Sequence, residues 1–421
     1  MKSVKQLFFF FFMFNTAVAQ DIDYARKTIE DLCAPEMYGR GYVNGGDEAA
    51  AHYLRDQLEK MGVTAFDFNY YQDFKMSVNT FPTAMEVAVD GKNLQPGINF
   101  IVSPDAPSVM GEYDILYLNK SVIGNPNKMD EFEKTDKTGK AVVLDSAGFN
   151  NVQKEYYSSA KKNSFGANLI IEVLSEKLTW GVSQEVSSYT TLQIMKESFP
   201  ENAKNIKLNI ANKFLPKYGS QNILGFIEGK TKPDSSIVFS AHYDHLGMMG
   251  NQTLFPGAND NASGTAILLN LAQYYSKPEN KPDYTMVFIF FGAEEAGLVG
   301  SKFYTENPVF PLEEIKFLIN IDLAGTGDEG ITVVNGSVFE NEFNNLKELN
   351  DANKYLTQVK VRGKAANSDH YYFTEKGVPA FFIYTMGGIK AYHDVYDKPE
   401  TLPLTEFQDL FRLLTDFVKT F

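Results

Sequence analysis

The sequence predicts an α/β protein: a mostly parallel or mixed central sheet with helices on both faces, carrying a smaller β-rich inserted domain. Three observations predict it. In the second half, residues 237–239, 286–291, 317–321 and 380–383 are short, continuous apolar runs. Such runs suit strands buried on both faces of a parallel sheet. Between them lie helical segments such as 265–275, which gives the strand–helix–strand rhythm of an α/β domain. The stretch from 90 to 215 differs in texture. There Gly, Pro, Asn and Lys punctuate short apolar runs at 113–118, 141–144 and 167–171, which read as strands with few long helices between them.

At 421 residues two domains are expected. The boundaries read as 20–89 plus 216–421 for the main domain and 90–215 for the insert. Ahead of them, Lys2 and Lys5 precede an apolar run from Leu7 to Phe14, and Ala17-Val18-Ala19 offers small residues for cleavage. This is the pattern of a signal peptide over 1–19, too short to span a bilayer. It predicts a secreted or periplasmic protein with no stable membrane insertion after cleavage. Cys33 is the only cysteine, so no disulfide staples the fold, and a lone cysteine here reads as a small buried hydrophobe. Residues 47–61 place Ala50, Leu54, Leu58 and Met61 on one helical stripe, with Gly62 as its stop. The composition, 44% apolar and 22% charged, is that of a globular chain with ample core. The formal charge of −14 argues against a nucleic-acid partner. Oligomeric state leaves no signature.

In open α/β sheets ligands bind just beyond the carboxyl ends of the strands. Following each apolar run to its end finds a residue of metal-ligand type: His242 and Asp244 after the first, Glu294 and Glu295 after the second, Asp322 after the third, and His393 in the loop after the fourth. Of five histidines, four (His242, His245, His370 and His393) lie in this half beside acids; the fifth, His52, reads as a surface residue of the first amphipathic helix. Taken singly, each has an ordinary reading: a solvated Glu294–Glu295 pair, Asp260 as a helix N-cap, Asp322 in a turn, His393 in a loop. Adjacent carboxylates leaving an apolar strand are costly to desolvate without cations. Their recurrence at four strand ends points to a metal site. Two imidazoles and three carboxylates without a thiolate suit Zn²⁺ or a similar ion. Five ligands over-supply one ion and fit a pair sharing a carboxylate, with one of Glu294 and Glu295 left over as general base.

At these residues the chain resembles the M28 family of zinc-dependent exopeptidases. The likeness rests on 241–247 (Ala-His-Tyr-Asp-His-Leu-Gly), 258–264 (Ala-Asn-Asp-Asn-Ala-Ser-Gly), 292–297 (Gly-Ala-Glu-Glu-Ala-Gly), 320–322 (Asn-Ile-Asp) and 368–370 (Ser-Asp-His), in the family's order, with 38–41 (Tyr-Gly-Arg-Gly) as its opening segment. The resemblance implies a zinc-exopeptidase fold and two Zn²⁺ per chain. His242 and Asp322 would hold one ion, Glu295 and His393 the other, with Asp260 bridging. It also implies Glu294 as general base, Asp244 as the acid that orients His242, and Tyr392 as an oxyanion helper. Ser368, Asp369 and His370 would shape the substrate pocket, and His245 would be structural or at the rim. The 90–215 stretch resembles a protease-associated (PA) domain through 137–144 and 159–167. One departure stands out: some aminopeptidase members carry Arg directly before the Ser-Asp-His block, where this chain has Asn367. Arg362 is the nearby candidate for the same region.

The activity these readings imply is aminopeptidase action on peptide substrates. Alternatives are a carboxypeptidase-type member, a glutaminyl cyclase-type member, and a non-catalytic receptor or scaffold. The intact His242, Asp260, Glu294, Glu295, Asp322 and His393 argue against the last.

Overall fold

The computed structural model describes residues 21–66, 69–145 and 150–421. The expected signal peptide lies outside them. An eight-stranded mixed sheet forms the main body, in the order Tyr71–Thr80, Lys213–Ile227, Tyr284–Phe291, Lys232–His242, Ile315–Ile321, Ala380–Thr385, Ile331–Val334, Val359–Val361. The four apolar runs of the sequence become its four central strands, each parallel to its neighbour, while the strands flanking this group are antiparallel to it.

Side chains alternate across a strand, so a run that is apolar throughout must be covered twice. Ile237, Phe239, Met286, Phe288, Phe290, Phe317 and Ile319 point to one face. There they meet the helices Ile22–Leu32, Gly46–Lys60, Gly264–Tyr275, Glu340–Asn353 and Phe407–Val418. Val238, Val287, Ile289, Phe291 and Leu318 point to the other, against Tyr304 of the helix Val299–Glu306 and Phe373 of His370–Glu375. The expected 47–61 helix is Gly46–Lys60, with Ala50, Leu54 and Leu58 buried and His52 exposed.

A second eight-stranded sheet is built from strands between Met85 and Ile210. It begins with Met85–Val89, which pairs with Asn205–Ile210, so it starts five residues before the boundary read at 90. The reason is the β-register itself: the run from Met85 to Val89 alternates buried and less buried side chains as an edge-side strand of this sheet. Val109–Leu118, Lys140–Leu144, Leu169–Leu174 and Thr190–Met195 are mutually parallel, so crossover segments must join them. Two of these, Pro126–Lys134 and Asn151–Lys161, cover one face through Phe132 and Ala160. The opposite face packs onto Leu246, Met249, Phe255 and Val395 of the main body. Among the described residues no helix is long and apolar enough to cross a membrane.

Cys33 closes the helix Ile22–Leu32 and is buried, its Sγ 3.2 Å from the Pro256 carbonyl. Burial pushes the thiol up to about 12, with Arg40 opposing the shift. A thiol held protonated and covered is unreactive. A chromogenic disulfide reagent is therefore expected to titrate no thiol in the native chain and one in denaturant. Rapid native labelling would contradict this packing.

Candidate metal centre

The strand ends bring the expected ligands to one place. His242 is the last residue of its central strand. Asp322 follows the strand Ile315–Ile321, and the Glu294–Glu295 pair follows Tyr284–Phe291 through Ala293, whose φ of 58° turns the chain over the sheet edge. Asp260 lies in the irregular turn Ala258–Ser263 ahead of the helix Gly264–Tyr275. It does not cap that helix. Its backbone N–H and that of Asn259 donate to Asp397 (3.0 and 2.8 Å), which leaves its carboxylate free to face the imidazoles.

Asp260 stands between two histidines. Its Oδ1 is 3.3 Å from His242 Nε2, and its Oδ2 is 3.0 Å from His393 Nε2. His242 Nε2 also lies 3.4 Å from Asp322, and His393 Nε2 lies 3.1 Å from Glu295. Ligand-type atoms gather within 4.8 Å of one another in two groups: His242, Glu294 and Asp322, and His245, Asp260 and Glu295. Asp322 Oδ1 is buried with no hydrogen-bond partner. Burial and neighbouring acids raise Glu294 well above the ordinary carboxylate range against the pull of His242. Burial alone would lower both imidazoles, but Asp322 and Glu294 carry His242 well above its ordinary value, and Glu295 and Asp260 carry His393 up to about 11. A buried excess of carboxylate with an orphaned oxygen fits divalent cations, which would replace the protons these imidazoles draw in.

Asp244 sits behind the ligands. It accepts hydrogen bonds from Tyr42 Oη (2.7 Å) and from the backbone N–H groups of Glu294 (3.0 Å) and Glu295 (3.2 Å). Its carboxylate is 3.7 Å from His242 Nδ1, and its own carbonyl is nearer to that nitrogen, at 3.2 Å. The Asp244 carboxylate thus holds the backbone of two functional residues, and the carbonyl of the same residue faces a third. Tyr392 stacks on His393, with ring centres 4.0 Å apart and planes 12° apart, and lines a cavity of about 360 Å³ with His242, Glu294 and Asp322.

Ser368, Asp369 and His370 are not where a substrate contact would have to be. All three are fully buried and line no part of this cavity. Ser368 Oγ instead takes a hydrogen bond from Asn320 (2.8 Å) and lies 3.4 Å from Asp322, so it supports a ligand from behind. The physical reason is the helix His370–Glu375, which turns the block in against the sheet through Phe373. Asn367, Ala366 and Arg362 face the cavity in their place, and Arg362 reaches Tyr384 Oη at 3.4 Å.

Other residues emerge only from the structure. His245 is buried, its Nδ1 2.7 Å from Glu295 Oε1, so it belongs to the centre and not to its rim. Arg40 is fully buried. Its guanidinium donates to the carbonyls of Leu32 (3.0 Å), Tyr243 (2.7 Å), Pro256 (2.7 Å) and Gly257 (2.7 Å), and one nitrogen lies 3.4 Å from that of Asp260. Gly257 must be glycine: its φ is 62°, and a Cβ there would strike the Asp260 carbonyl and the His245 ring. The opening 38–41 block was the visible signal for Arg40; Asp397 had none.

A model of peptidase family M28 matches residues 222–418, the stretch that carries every one of these ligands. Residues 222–418 belong to peptidase family M28. Aminopeptidase YwaD of Bacillus subtilis is 29% identical over 258 residues, which are 58% of this chain and 54% of that protein. A vacuolar membrane protease of Kluyveromyces lactis is 39% identical over 112 residues, 27% of this chain and 11% of that protein. The chain thus spans about half or less of the length of these relatives. Among solved structures, a zinc aminopeptidase from Bacillus subtilis shares the fold with a TM-score of 0.68 at 20% identity, over 95% of each chain. The likeness in fold therefore reaches beyond the M28 stretch into the second sheet.

Both imidazoles must be neutral to bind a cation. Zinc uptake by the M28 centre at neutral pH is thus expected to release protons from His242 and His393, and affinity is expected to fall as pH falls. Calorimetry in buffers of different ionisation enthalpy measures this; a heat independent of buffer would show that no proton is displaced.

Proposed function

We propose that this chain is a secreted di-zinc exopeptidase that removes N-terminal residues from peptides. The observation that carries the reading is Glu294, half-buried in the cavity wall beside His242 and Asp322, where its carboxylate can face an attacking water. His242 and Asp322 would hold one zinc, Glu295 and His393 the other, with Asp260 shared between them. When bound, the ions supply an activated water and a Lewis acid for the scissile carbonyl. Glu294 takes a proton from the attacking water and passes it to the leaving nitrogen as the C–N bond breaks, which restores the carboxylate for the next turnover. Asp244 keeps Glu294 and Glu295 in place through their N–H groups. The Tyr392 hydroxyl donates to the carbonyl oxygen as charge develops on it. The aminopeptidase names of relatives in sequence and of neighbours in fold support this direction of attack. We assign the second sheet, read from the sequence as 90–215 and beginning at Met85 in the structure, to a PA-like insert, and 1–19 to a cleaved signal peptide, on the residues quoted above.

A carboxypeptidase is the second reading, favoured by one observation: Arg362 lines the cavity and offers a cation to a terminal carboxylate. Peptides blocked at either end separate the two. Turnover that survives amidation of the C-terminus and is lost on acetylation of the N-terminus supports the aminopeptidase; the reverse supports the carboxypeptidase. Ammonia release from N-terminal glutamine would mean a cyclase, and no turnover of any peptide at full zinc loading would mean a scaffold. Glu294→Gln is expected to lower kcat by roughly 10²–10⁴-fold, with zinc content by atomic absorption near wild type. A large zinc loss in that variant would sink the base assignment. Export predicts a mature N-terminus at or near Gln20 when protein recovered outside the cytoplasm is sequenced; an intact Met1 there would refute cleavage.

A further inference from the structure

The two proposed zinc positions are held by different parts of the chain. His242 and Asp322 are held by contacts from within the main body. The His242 carbonyl accepts from Thr265 Oγ1 (3.1 Å), the Asp322 N–H donates to the Ile383 carbonyl (3.1 Å), and Ser368 stands behind the Asp322 carboxylate. His393 and Glu295 sit on loops, and both loops are gripped by one segment, residues 177–184, which leads from the strand Leu169–Leu174 of the second sheet toward the strand Thr190–Met195.

The grip is specific. Lys177 Nζ donates to the carbonyls of Lys390 (2.9 Å) and Tyr392 (2.9 Å) and pairs with Asp394 (3.0 Å). The Trp180 backbone brackets His393: its N–H donates to the His393 carbonyl (2.9 Å), and its carbonyl lies 3.0 Å from His393 Nδ1. That second contact places the ring proton on Nδ1 and leaves Nε2, which faces Asp260 and Glu295, free as a ligand atom. Trp180 itself is anchored by its indole N–H to the Val102 carbonyl (2.8 Å) and by a tilted ring contact with Phe255. Four residues on, Gln184 Nε2 donates to the carbonyl of Ala296, the residue after Glu295 (2.8 Å). His393 has φ 52°, a left-handed conformation that a non-glycine residue keeps only when its surroundings impose it.

From this asymmetry we infer that the 177–184 segment is a positioning clamp for one zinc only: it sets the affinity of the ion on Glu295 and His393 and leaves that of the ion on His242 and Asp322 unchanged. Lys177, Trp180 and Gln184 are positioning residues that act through His393 and Glu295. The inference rests on the two-zinc reading proposed above. It gives the second sheet a part in the chemistry, as the support of half the metal centre.

The test titrates the metal-free full chain with Zn²⁺ against a chromophoric chelator and resolves the two stepwise affinities. His393→Ala identifies which step belongs to the clamped ion. Lys177→Met is expected to weaken that step by about 10–100-fold, the range seen when a partner behind a ligand is lost, and to leave the other step unchanged. Gln184→Leu should weaken the same step by a smaller factor, and Lys177→Arg, which keeps a cation with several donors, should recover most of the loss. Both steps falling in parallel, or neither moving in Lys177→Met and Gln184→Leu, overturns the clamp. A wild-type chain that takes up fewer than two zinc ions overturns the two-zinc reading itself, a result distinct from either of these.

Discussion

The buried guanidinium of Arg40 is the contact on which the rest of the centre depends. It has five N–H donors and no acceptor, and it is fully covered. A charge in that position persists only where its donors are met. Here they are met by carbonyls from the end of the helix Ile22–Leu32, from Tyr243 next to His242, and from the 256–257 turn that leads into Asp260. Those carbonyls belong to three separate stretches of chain, and none could be buried at this spot without a donor. The sheet brings His242 and Asp322 to the carboxyl ends of its central strands by strand geometry. Asp260 has no strand to place it, and Arg40 with Asp397 does that work from opposite sides of its turn.

Much of this was legible in the sequence, for a reason that can be named. Strands buried on both faces are written as unbroken apolar runs, so 237–239, 286–291, 317–321 and 380–383 announced both the sheet and the place where its ligands would appear. What stayed hidden was carried by the backbone or by distance. The carbonyls of Trp180, Leu32 and Tyr243 support the site through the backbone, so no residue type marks that role. The inward turn of 368–370 depends on a short helix packing against the sheet, which spacing alone does not reveal. His245 looked peripheral since its role depends on where Glu295 lies in space, fifty residues further along.

The second sheet shows the same limit. Three of its strands could be read from their apolar runs, but their parallel order could not, and with it went the helices Pro126–Lys134 and Asn151–Lys161 that form two of its crossovers. Asn125 caps the first of these by accepting from the N–H groups of Asn127 and Lys128, a signal easily taken for a turn. The face of this sheet that meets Leu246, Phe255 and Val395 continues the hydrophobic core across the boundary, so the two sheets are joined by packing as well as by the polar grip on the 390–394 loop.

The turn bearing Asp260 is pinned by Arg40 near one end of the chain and by Asp397 near the other. The carboxylate of Asp260 therefore has no fixed address until two contacts, spanning 217 and 137 residues of chain, have both closed. Contacts of such separation are slow to form, because loop entropy is lost before they repay it. A chain with either end undocked would keep the strand-end ligands and lack the carboxylate that stands between them.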